Sequence, residues 1–224
     1  RVLFRSPDVA PEAKPPAPYG GSIARDKAVS DEVLLAWQMN GQALPTAHGA
    51  PVRVLVPGWI GARSVKWVER ITAQDHPSDN FFQQSAYRLL PPEHDDPRPG
   101  DGVELTAVAL NSEILRPDGR ATLTAGPVQI RGYAYAGGDR EVVRVDVSVD
   151  GGQHWTQADL DEDLGPWAWR FWRTRAVLPA GTQRILARAW DSTAALQPEH
   201  AASLWNPKGY INNAWPSITI DVRP

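Results

Sequence analysis

The sequence of 224 residues contains no cysteine. Disulfides, thiolate zinc sites, iron–sulfur clusters and cysteine nucleophiles are therefore excluded within this chain. The absence leaves the cellular compartment open, because a protein without cysteine folds equally well in oxidising and in reducing surroundings.

The chain also lacks long apolar runs and an excess of basic residues. No stretch approaches the roughly 18 apolar residues that a membrane span requires. The 23 lysines and arginines are outnumbered by 26 acidic residues, which gives a net charge of −3. The composition therefore predicts no membrane span and no nucleic-acid partner, and any binding of anions has to be local.

The first residues, RVLFRSPDVAPEAKPP, contain neither an initiator methionine nor the apolar core of a signal peptide. They read as if the chain were entered in the middle of a strand. We therefore expect these residues to be preceded by a further segment of a longer protein.

Proline and tryptophan are plentiful, with 21 and 10 residues respectively. Proline favours short strands and fixed turns over long helices. Tryptophan requires large apolar surroundings and a partner for its indole N–H. The ten tryptophans therefore suit packed faces of β-sheets, a deep pocket, or both.

The first half of the chain predicts short strands joined by tight turns. Residues 33–44 are largely apolar and contain an Asn-Gly pair at 40–41, which is a strong hairpin signal. A helix capped by Ser30 is the alternative for this segment. The β-branched run 52–56 and the run 65–73 are further strand candidates.

The sequence predicts two domains, residues 1–95 and residues 96–224. Residues 91–102, PPEHDDPRPGDG, combine prolines, glycines and acidic residues without an apolar anchor, as in a linker. Beyond them, short strands follow at regular spacing: 128–135, 141–149, 154–160, 167–177, 184–190 and 217–222. These runs complete about seven short strands, which favour an immunoglobulin-like sandwich.

Residues 141–149, EVVRVDVSV, alternate clearly between apolar and polar side chains. The valines at 143, 145, 147 and 149 are predicted to face the core. The intervening Arg144, Asp146 and Ser148 would then face water.

The motifs that most often carry catalysis or metal binding are missing. The sequence has no Gly-rich phosphate loop, HExxH, GxSxG or EF-hand pattern. Its five histidines, at 48, 76, 94, 154 and 200, show no spacing of metal ligands. We therefore expect no mononuclear metal site made by this chain alone.

One segment, HGAPVRVLVPGWIGARSVKW at 48–67, concentrates groups that can bind an anion near two glycine turns. They are His48, Arg53, Arg63, Ser64, Lys66 and the backbone amides around Gly61. Such donors at neighbouring strand ends can form a cradle for a phosphate or pyrophosphate. Solvated charges beside turns are the alternative.

Two further segments carry candidate functional residues. Tyr87, in FFQQSAYRLL, is a core residue or, near an anion site, a hydrogen-bond donor or proton relay. Residues 204–215, LWNPKGYINNAW, form a polar and aromatic turn that could present Lys208 to another domain. Alternatively, and equally well supported, the turn only fixes the junction between two domains and takes no part in catalysis.

Three segments in order resemble the sulfite oxidase family of molybdenum-cofactor oxidoreductases, which includes eukaryotic nitrate reductase. They are LLAWQMNGQALPTAHGAPVRVLVPGWIGARSVKW, GYAYAGGDREVVRVDVSVDGGQHW and WNPKGYINNAW. The resemblance implies the end of a partial α+β molybdopterin-binding domain followed by an immunoglobulin-like dimerisation domain, in a mainly β chain.

The resemblance also implies roles for individual residues. The segments HGAPVR and GARSVK match pterin-binding segments, so the molybdopterin cofactor would be held by His48, Arg53, Ser64, Val65 and Lys66. Tyr87 matches the active-site tyrosine of the family and Lys208 would attract the substrate. Asp8, in FRSPD, matches a further cofactor-contacting acid.

The sequence departs from the family pattern in two ways. The family's molybdenum ligand is a cysteine, so we expect it on a separate or missing N-terminal segment; the alternative is that this chain is an inactive piece. Animal sulfite oxidases have an arginine where Lys208 stands, which puts sulfite specificity in doubt because lysine offers only a point charge.

The family reading implies partners as well as a cofactor. We expect a homodimer formed through the C-terminal domain and an electron acceptor outside the chain, of which a cytochrome is one candidate. The predicted function is oxygen-atom transfer to or from a small oxyanion such as sulfite. The alternative is a non-catalytic immunoglobulin-like dimerisation or interaction module.

Overall fold

The computed structural model describes residues 1–91, 96, 98–203, 206 and 208–224. Within them the chain forms two compact units. The N-terminal unit comprises residues 1–108 and 204–210, and the C-terminal unit comprises residues 109–203 and 211–224. Of the expected linker at 91–102, residues 92–95 and 97 lie outside the described residues.

The N-terminal unit consists of short strands and single helical turns. Its strands are β1 (Val2–Ala10), β2 (Ala17–Ile23), β3 (Leu34–Ala36), β4 (Gln38–Met39), β5 (Gln42–Ala43), β6 (Arg53–Leu55), β7 (Arg70–Ala73), β8 (Arg88–Leu89) and β9 (Val103–Glu104). Three of them form an antiparallel sheet in the order β2-β1-β7, and the others pair as β3-β6, β4-β5 and β8-β9. The helical pieces are α1 (Arg25–Ala28), 3₁₀ turns at Thr46–His48 and Gly61–Arg63, and a π-helical turn at Phe82–Ala86.

The hairpin predicted around Asn40 and Gly41 is confirmed. Strands β4 and β5 pair directly, and both turn residues have positive φ, 52° and 75°. Two positive φ angles in a two-residue loop are typical of the turn that Asn-Gly favours. The strand predicted at 65–73 is correct only in its last part, because β7 begins at Arg70.

The C-terminal unit is a sandwich of two sheets. Its strands are β10 (Asn111–Arg116), β11 (Thr122–Thr124), β12 (Gly126–Tyr135), β13 (Val142–Ser148), β14 (Thr156–Gln157), β15 (Asp159–Leu160), β16 (Arg170–Leu178), β17 (Gly181–Asp191) and β18 (Ser217–Arg223), with a 3₁₀ turn at Ala201–Ser203. One sheet has the order β10-β12-β16-β15 and the other β11-β18-β17-β13-β14. The sandwich and the mainly β class are as predicted.

Both sheets of the sandwich contribute to one apolar core. Ile130 and Trp172 come from the four-stranded sheet, and Val145, Ile185 and Ile220 come from the five-stranded sheet. All five side chains are almost completely buried. This packing accounts for the alternating apolar pattern of the strands.

The predicted facing of β13 is wrong at its start and on its outer side. The pairing of β13 with β17 shifts register between Val142 and Arg144, so that Val142 is buried and Val143 is 50% exposed. A bulge of this kind changes which side chains face the core. Asp146 and Ser148, predicted to face water, are also buried.

Charged and aromatic side chains cover Asp146. Its carboxylate is paired with Arg144 at 2.7 Å and with Arg188 at 3.4 Å. The Arg188 guanidinium lies 3.9 Å from the ring centroid of Trp155 and 4.9 Å from that of Trp190. These cation–π contacts close the outer side of the sheet over a buried charge pair.

Among the described residues, no helix has both the length and the apolar character that crossing a membrane requires.

Candidate functional site

The turn at residues 46–49 is the first part of the candidate site. Gly49 ends the 3₁₀ turn with a φ of 108°, a conformation that favours glycine. A Cβ atom at Gly49 would lie 2.9 Å from Cβ of Lys66 and 3.1 Å from Cβ of Arg53. The glycine thus lets the turn pack directly against the stems of two cationic side chains.

Three side chains hold this turn by its carbonyl groups. Lys66 Nζ donates to the oxygen of Ala47 at 2.7 Å, and Trp67 Nε1 donates to that of Thr46 at 2.9 Å. Arg53 Nη1 donates to the oxygen of His48 at 3.1 Å. The predicted residue His48 therefore contacts the site through its backbone, while its side chain is exposed.

Arg53 and Ser64 connect the turn to β6. Arg53 Nη2 donates to the carbonyl oxygen of Ser64 at 3.3 Å, and the Ser64 hydroxyl accepts a hydrogen bond from the Val56 amide at 3.0 Å. Desolvation lowers the pKa of Arg53 from its usual value, but an arginine remains charged. The site therefore has a fixed positive charge.

A cavity of about 300 Å³ lies beside these residues. Its lining consists of Ser6, Asp8, Tyr19, Arg53, Gly61, Ser64, Val65, Lys66 and Trp67. Four of the five predicted cofactor-binding residues are in this set, and His48 is not. A further cavity of about 380 Å³ in the same unit is lined by none of the predicted site residues.

Strands β1 and β2 add an acid and a phenol to the cavity. Asp8 comes from β1, and Tyr19 from β2 donates through its hydroxyl to the Ala62 carbonyl at 2.7 Å. Burial, reinforced by the nearby Tyr87, raises the pKa of Tyr19 to about 12. Tyr19 is therefore a neutral hydrogen-bonding group at physiological pH.

Backbone strain marks the same cavity. Trp67, which lines it, has a φ of 51°, a left-handed conformation that is rare for a bulky residue. The amide of Trp67 donates to the Gly49 carbonyl at 3.2 Å, so this conformation is held by hydrogen bonds to the turn. Strained residues held in this way are concentrated at functional sites.

Tyr87 lies in an aromatic cluster of the same unit. Its ring centroid is 5.8 Å from that of Phe82, which is 5.4 Å from that of Tyr19 in the cavity wall. Its ring is stacked on Tyr210 with centroids 4.5 Å apart. Burial, followed by the charge of and hydrogen bond with Tyr210, raises the pKa of Tyr87.

Lys208 is exposed and belongs to the turn that includes Tyr210. Its backbone amide donates to Oδ1 of Asn206 at 2.8 Å. The structure thus assigns the predicted residues to two groups within the N-terminal unit. Arg53, Ser64, Val65 and Lys66 surround the cavity, and the segments of Tyr87 and Lys208 meet at Asn206.

Sequence reasoning missed Ser6, Tyr19, Trp67 and Asn206. Ser6 and Tyr19 reach the cavity only because β1 and β2 pair, which no local motif announces. A tryptophan with positive φ also has no sequence signal. Asn206 stands in the quoted segment WNPKGY, two residues before Lys208, and this position is the signal that could have pointed to it.

Arg63, one of the predicted anion-binding groups, is instead buried inside the unit. Its Nη2 contacts Glu104 Oε1 at 3.3 Å and donates to the Leu105 carbonyl at 3.1 Å. Its side chain is fully enclosed and does not line the cavity. Burial lowers the pKa of Arg63 and the paired carboxylate opposes that shift.

Comparison with known families gives two matches that together cover most of the chain. The profile of the oxidoreductase molybdopterin binding domain matches residues 1–82, which include the whole cavity lining. The profile of the Mo-co oxidoreductase dimerisation domain matches residues 104–223, more than half of the chain. The chain belongs to the sulfite oxidase family of molybdenum-cofactor oxidoreductases. Tyr87 lies between the two matched ranges.

Individual sequence relatives support the assignment to this family. The chain is 41% identical over 216 residues to mitochondrial sulfite oxidase of Mus musculus, an alignment that covers 92% of this chain and 40% of the relative. It is 40% identical over 225 residues to sulfite oxidase of Gallus gallus, covering 96% and 48% respectively. The chain thus spans less than half the length of these curated relatives.

A solved structure has the same fold. The sulfane dehydrogenase SoxCD of Paracoccus pantotrophus is similar with a TM-score of 0.80 and 29% sequence identity. The similarity covers 98% of this chain and 54% of the SoxCD chain. Both units described here therefore have counterparts in the SoxCD chain.

The cavity fits the family's cofactor by the chemistry of its donors. Arg53 and Lys66 supply two cations and Ser64 a hydroxyl, as a phosphate group requires. The Asp8 carboxylate can accept hydrogen bonds from the N–H groups of a pterin ring. The described residues contain no cluster of three metal-ligating side chains, so the fit concerns the organic part of the cofactor.

Proposed function

We propose that this chain is part of a molybdopterin-dependent oxidoreductase and that the cavity of the N-terminal unit binds the cofactor. The donor set of that cavity carries the proposal, since Arg53, Ser64, Lys66 and Asp8 lie together in the range matching the molybdopterin-binding profile. The cations would neutralise the phosphate, and the acid would accept from the pterin.

The other predicted cofactor residues would act through the backbone. The Val65 side chain is in the apolar core, so its contribution would come from the main chain beside Ser64 and Lys66. His48 would act through its carbonyl, which orients Arg53. A bound phosphate would therefore meet cations that the turn at 46–49 already holds in place.

The bound cofactor supplies two-electron oxygen-atom transfer, and the protein supplies position and charge. Tyr87 would donate a hydrogen bond to a substrate oxygen, since its raised pKa keeps the phenol protonated. The Lys208 ammonium, which is exposed, would attract an anionic substrate. The substrate class is a small oxyanion, and sulfite is the candidate that the names of the relatives suggest.

The complete enzyme would need partners for this chain. A chain without cysteine offers no thiolate, so the cysteine ligand that the family resemblance implies would come from a further, N-terminal segment of the enzyme. The match to the dimerisation domain supports a homodimer through residues 104–223. The electron acceptor would be a separate group, with a cytochrome as the candidate.

A non-catalytic interaction module is the less favoured function. Such a module requires only the C-terminal unit, whereas the molybdopterin-binding match lies wholly within the N-terminal unit. The cation-lined cavity in that unit would then have no use.

The proposed substrate chemistry can be tested at Lys208. In the enzyme assembled from this chain and a cysteine-bearing segment, Lys208→Ala should raise KM for sulfite by about tenfold at low ionic strength. The increase should shrink with added salt, because an exposed charge is screened. Lys14→Ala, at an exposed lysine of the same unit, is the matched control. A KM that is the same for all three proteins at every ionic strength would rule out this role.

A further inference from the structure

One buried amide connects the segments of Tyr87 and Lys208. Asn206 is only 5% exposed. Its Nδ2 donates to the carbonyl oxygens of Ala86 at 3.2 Å and Arg88 at 2.6 Å. These are the two residues on either side of Tyr87, so the amide is hydrogen-bonded to the backbone on both sides of that tyrosine.

The oxygen of the same amide organises the turn that follows it. Oδ1 of Asn206 accepts from the backbone amide of Lys208 at 2.8 Å and from that of Tyr210 at 3.4 Å. An asparagine amide has two donor hydrogens and two acceptor positions. Asn206 uses all four, two on each segment.

These hydrogen bonds hold the phenol groups of Tyr87 and Tyr210 next to each other. The rings of Tyr87 and Tyr210 are stacked at 4.5 Å with an interplanar angle of 29°, and burial, followed by the neighbouring Tyr210, raises the pKa of Tyr87. No other common side chain of the length of asparagine combines two donor hydrogens with an acceptor oxygen. Aspartate lacks the donors, and alanine lacks both functions.

We propose that Asn206 is a positioning residue that holds the Tyr87 phenol and the turn bearing Lys208 in one arrangement for the substrate. The proposal rests on the proposed roles of Tyr87 and Lys208. It goes further by assigning their relative placement to one side chain, whose amide hydrogen-bonds only to backbone groups in the described residues.

The first test is NMR of the 224-residue chain labelled with ¹³C at Cζ of its five tyrosines, with signals assigned by Tyr→Phe variants. In Asn206→Ala the signals of Tyr87 and Tyr210 should shift, and Tyr87 should titrate at lower pH because the stacked partner is released. The signals of Tyr133 and Tyr135 should not move. The matched control is Asn212→Ala, which removes an exposed asparagine that caps only its own turn. A Tyr87 titration unaffected by Asn206→Ala would overturn the proposal.

Asn206→Asp provides a second test that does not depend on the alanine variant folding. At pH 8 the carboxylate has no donor and faces the two carbonyl oxygens, so the Tyr87 signal should resemble that of a released ring. At pH 5 a protonated carboxyl regains one donor, because desolvation and the facing carbonyls raise its pKa. The Tyr87 signal should then return towards that of the wild type. A signal that is the same at both pH values overturns the proposal.

Kinetics separate the inference from the proposed function. In the assembled enzyme, Asn206→Ala should lower kcat/KM about as much as Tyr87→Phe, by roughly 10²-fold, and combining the two should cost little more. Loss with Tyr87→Phe but not with Asn206→Ala overturns positioning alone. No loss with either variant overturns the proposed role of Tyr87, and the positioning role falls with it.

Discussion

Tyr19 shows how a single residue joins the fold to the candidate site. Its hydroxyl donates to Ala62 and its ring lines the cavity. Burial is the largest cause of its raised pKa, the Tyr87 and Asp8 side chains add to it, and Arg63 opposes it. The phenol therefore favours the folded state only while it is neutral.

This balance predicts a pH-dependent effect of Tyr19→Phe. At pH 7 the variant should be less stable by about 1 kcal/mol, the usual contribution of one hydrogen bond. The pKa of Tyr19 is about 12 in the fold against 10.0 unfolded, so its contribution is complete below pH 10 and is lost as the pH rises towards 12. Urea unfolding from pH 7 to 12 should show the difference between wild type and variant shrinking above pH 10. A difference that stays constant would contradict this account.

The candidate residues differ in how far the sequence could predict their positions. Arg53, Ser64 and Lys66 follow glycine turns within one short segment, so their proximity could be expected from local pattern alone. Arg63 belongs to the same segment but is buried against Glu104, because a 3₁₀ turn directs it inwards. Ser6 and Tyr19 depend on strand pairing, which the sequence does not specify locally. That these residues bind molybdopterin stays a proposal.

At the scale of elements, the strands of the sandwich were predictable because their apolar residues alternate between turn glycines. The bulge in β13 was not, since an extra residue leaves the same alternating letters in the sequence. The burial of Asp146 likewise depends on Arg188, which is 42 residues away. The local sequence pattern predicts that a strand exists, and pairing with the neighbouring strand determines which of its faces is buried.

Gly132, within β12, offers a sharp test of sheet packing. Its Cβ position would collide with the Glu113 carbonyl and the indole of Trp172. Gly132→Ala should therefore destabilise the C-terminal unit by about 3 kcal/mol, at the upper end for overpacked sites. Gly119→Ala, where the nearest atom is 3.9 Å from the added Cβ, should change stability much less. Equal unfolding midpoints for the two variants in urea would show that the strands can separate to admit a methyl group.

At the scale of the whole molecule, the two units are assigned different tasks. The C-terminal unit matches a dimerisation domain, and the N-terminal unit has the cation-lined cavity. We therefore predict that the chain sediments as a dimer at micromolar concentration, and that Lys66→Ala leaves the dimer fraction unchanged. Analytical ultracentrifugation measures both. A monomeric wild-type chain at tens of micromolar would contradict the first expectation, and dissociation of Lys66→Ala would contradict the second.

The most direct test is the molybdopterin content of the assembled enzyme, measured as the fluorescent oxidised pterin released per protein chain. The account predicts that Lys66→Ala retains at most about a tenth of the wild-type content, since losing a charged hydrogen bond to phosphate costs about 1.5–3 kcal/mol. Lys14→Ala should retain all of it. Equal pterin content in wild type, Lys66→Ala and Lys14→Ala would show that this cavity does not hold the cofactor.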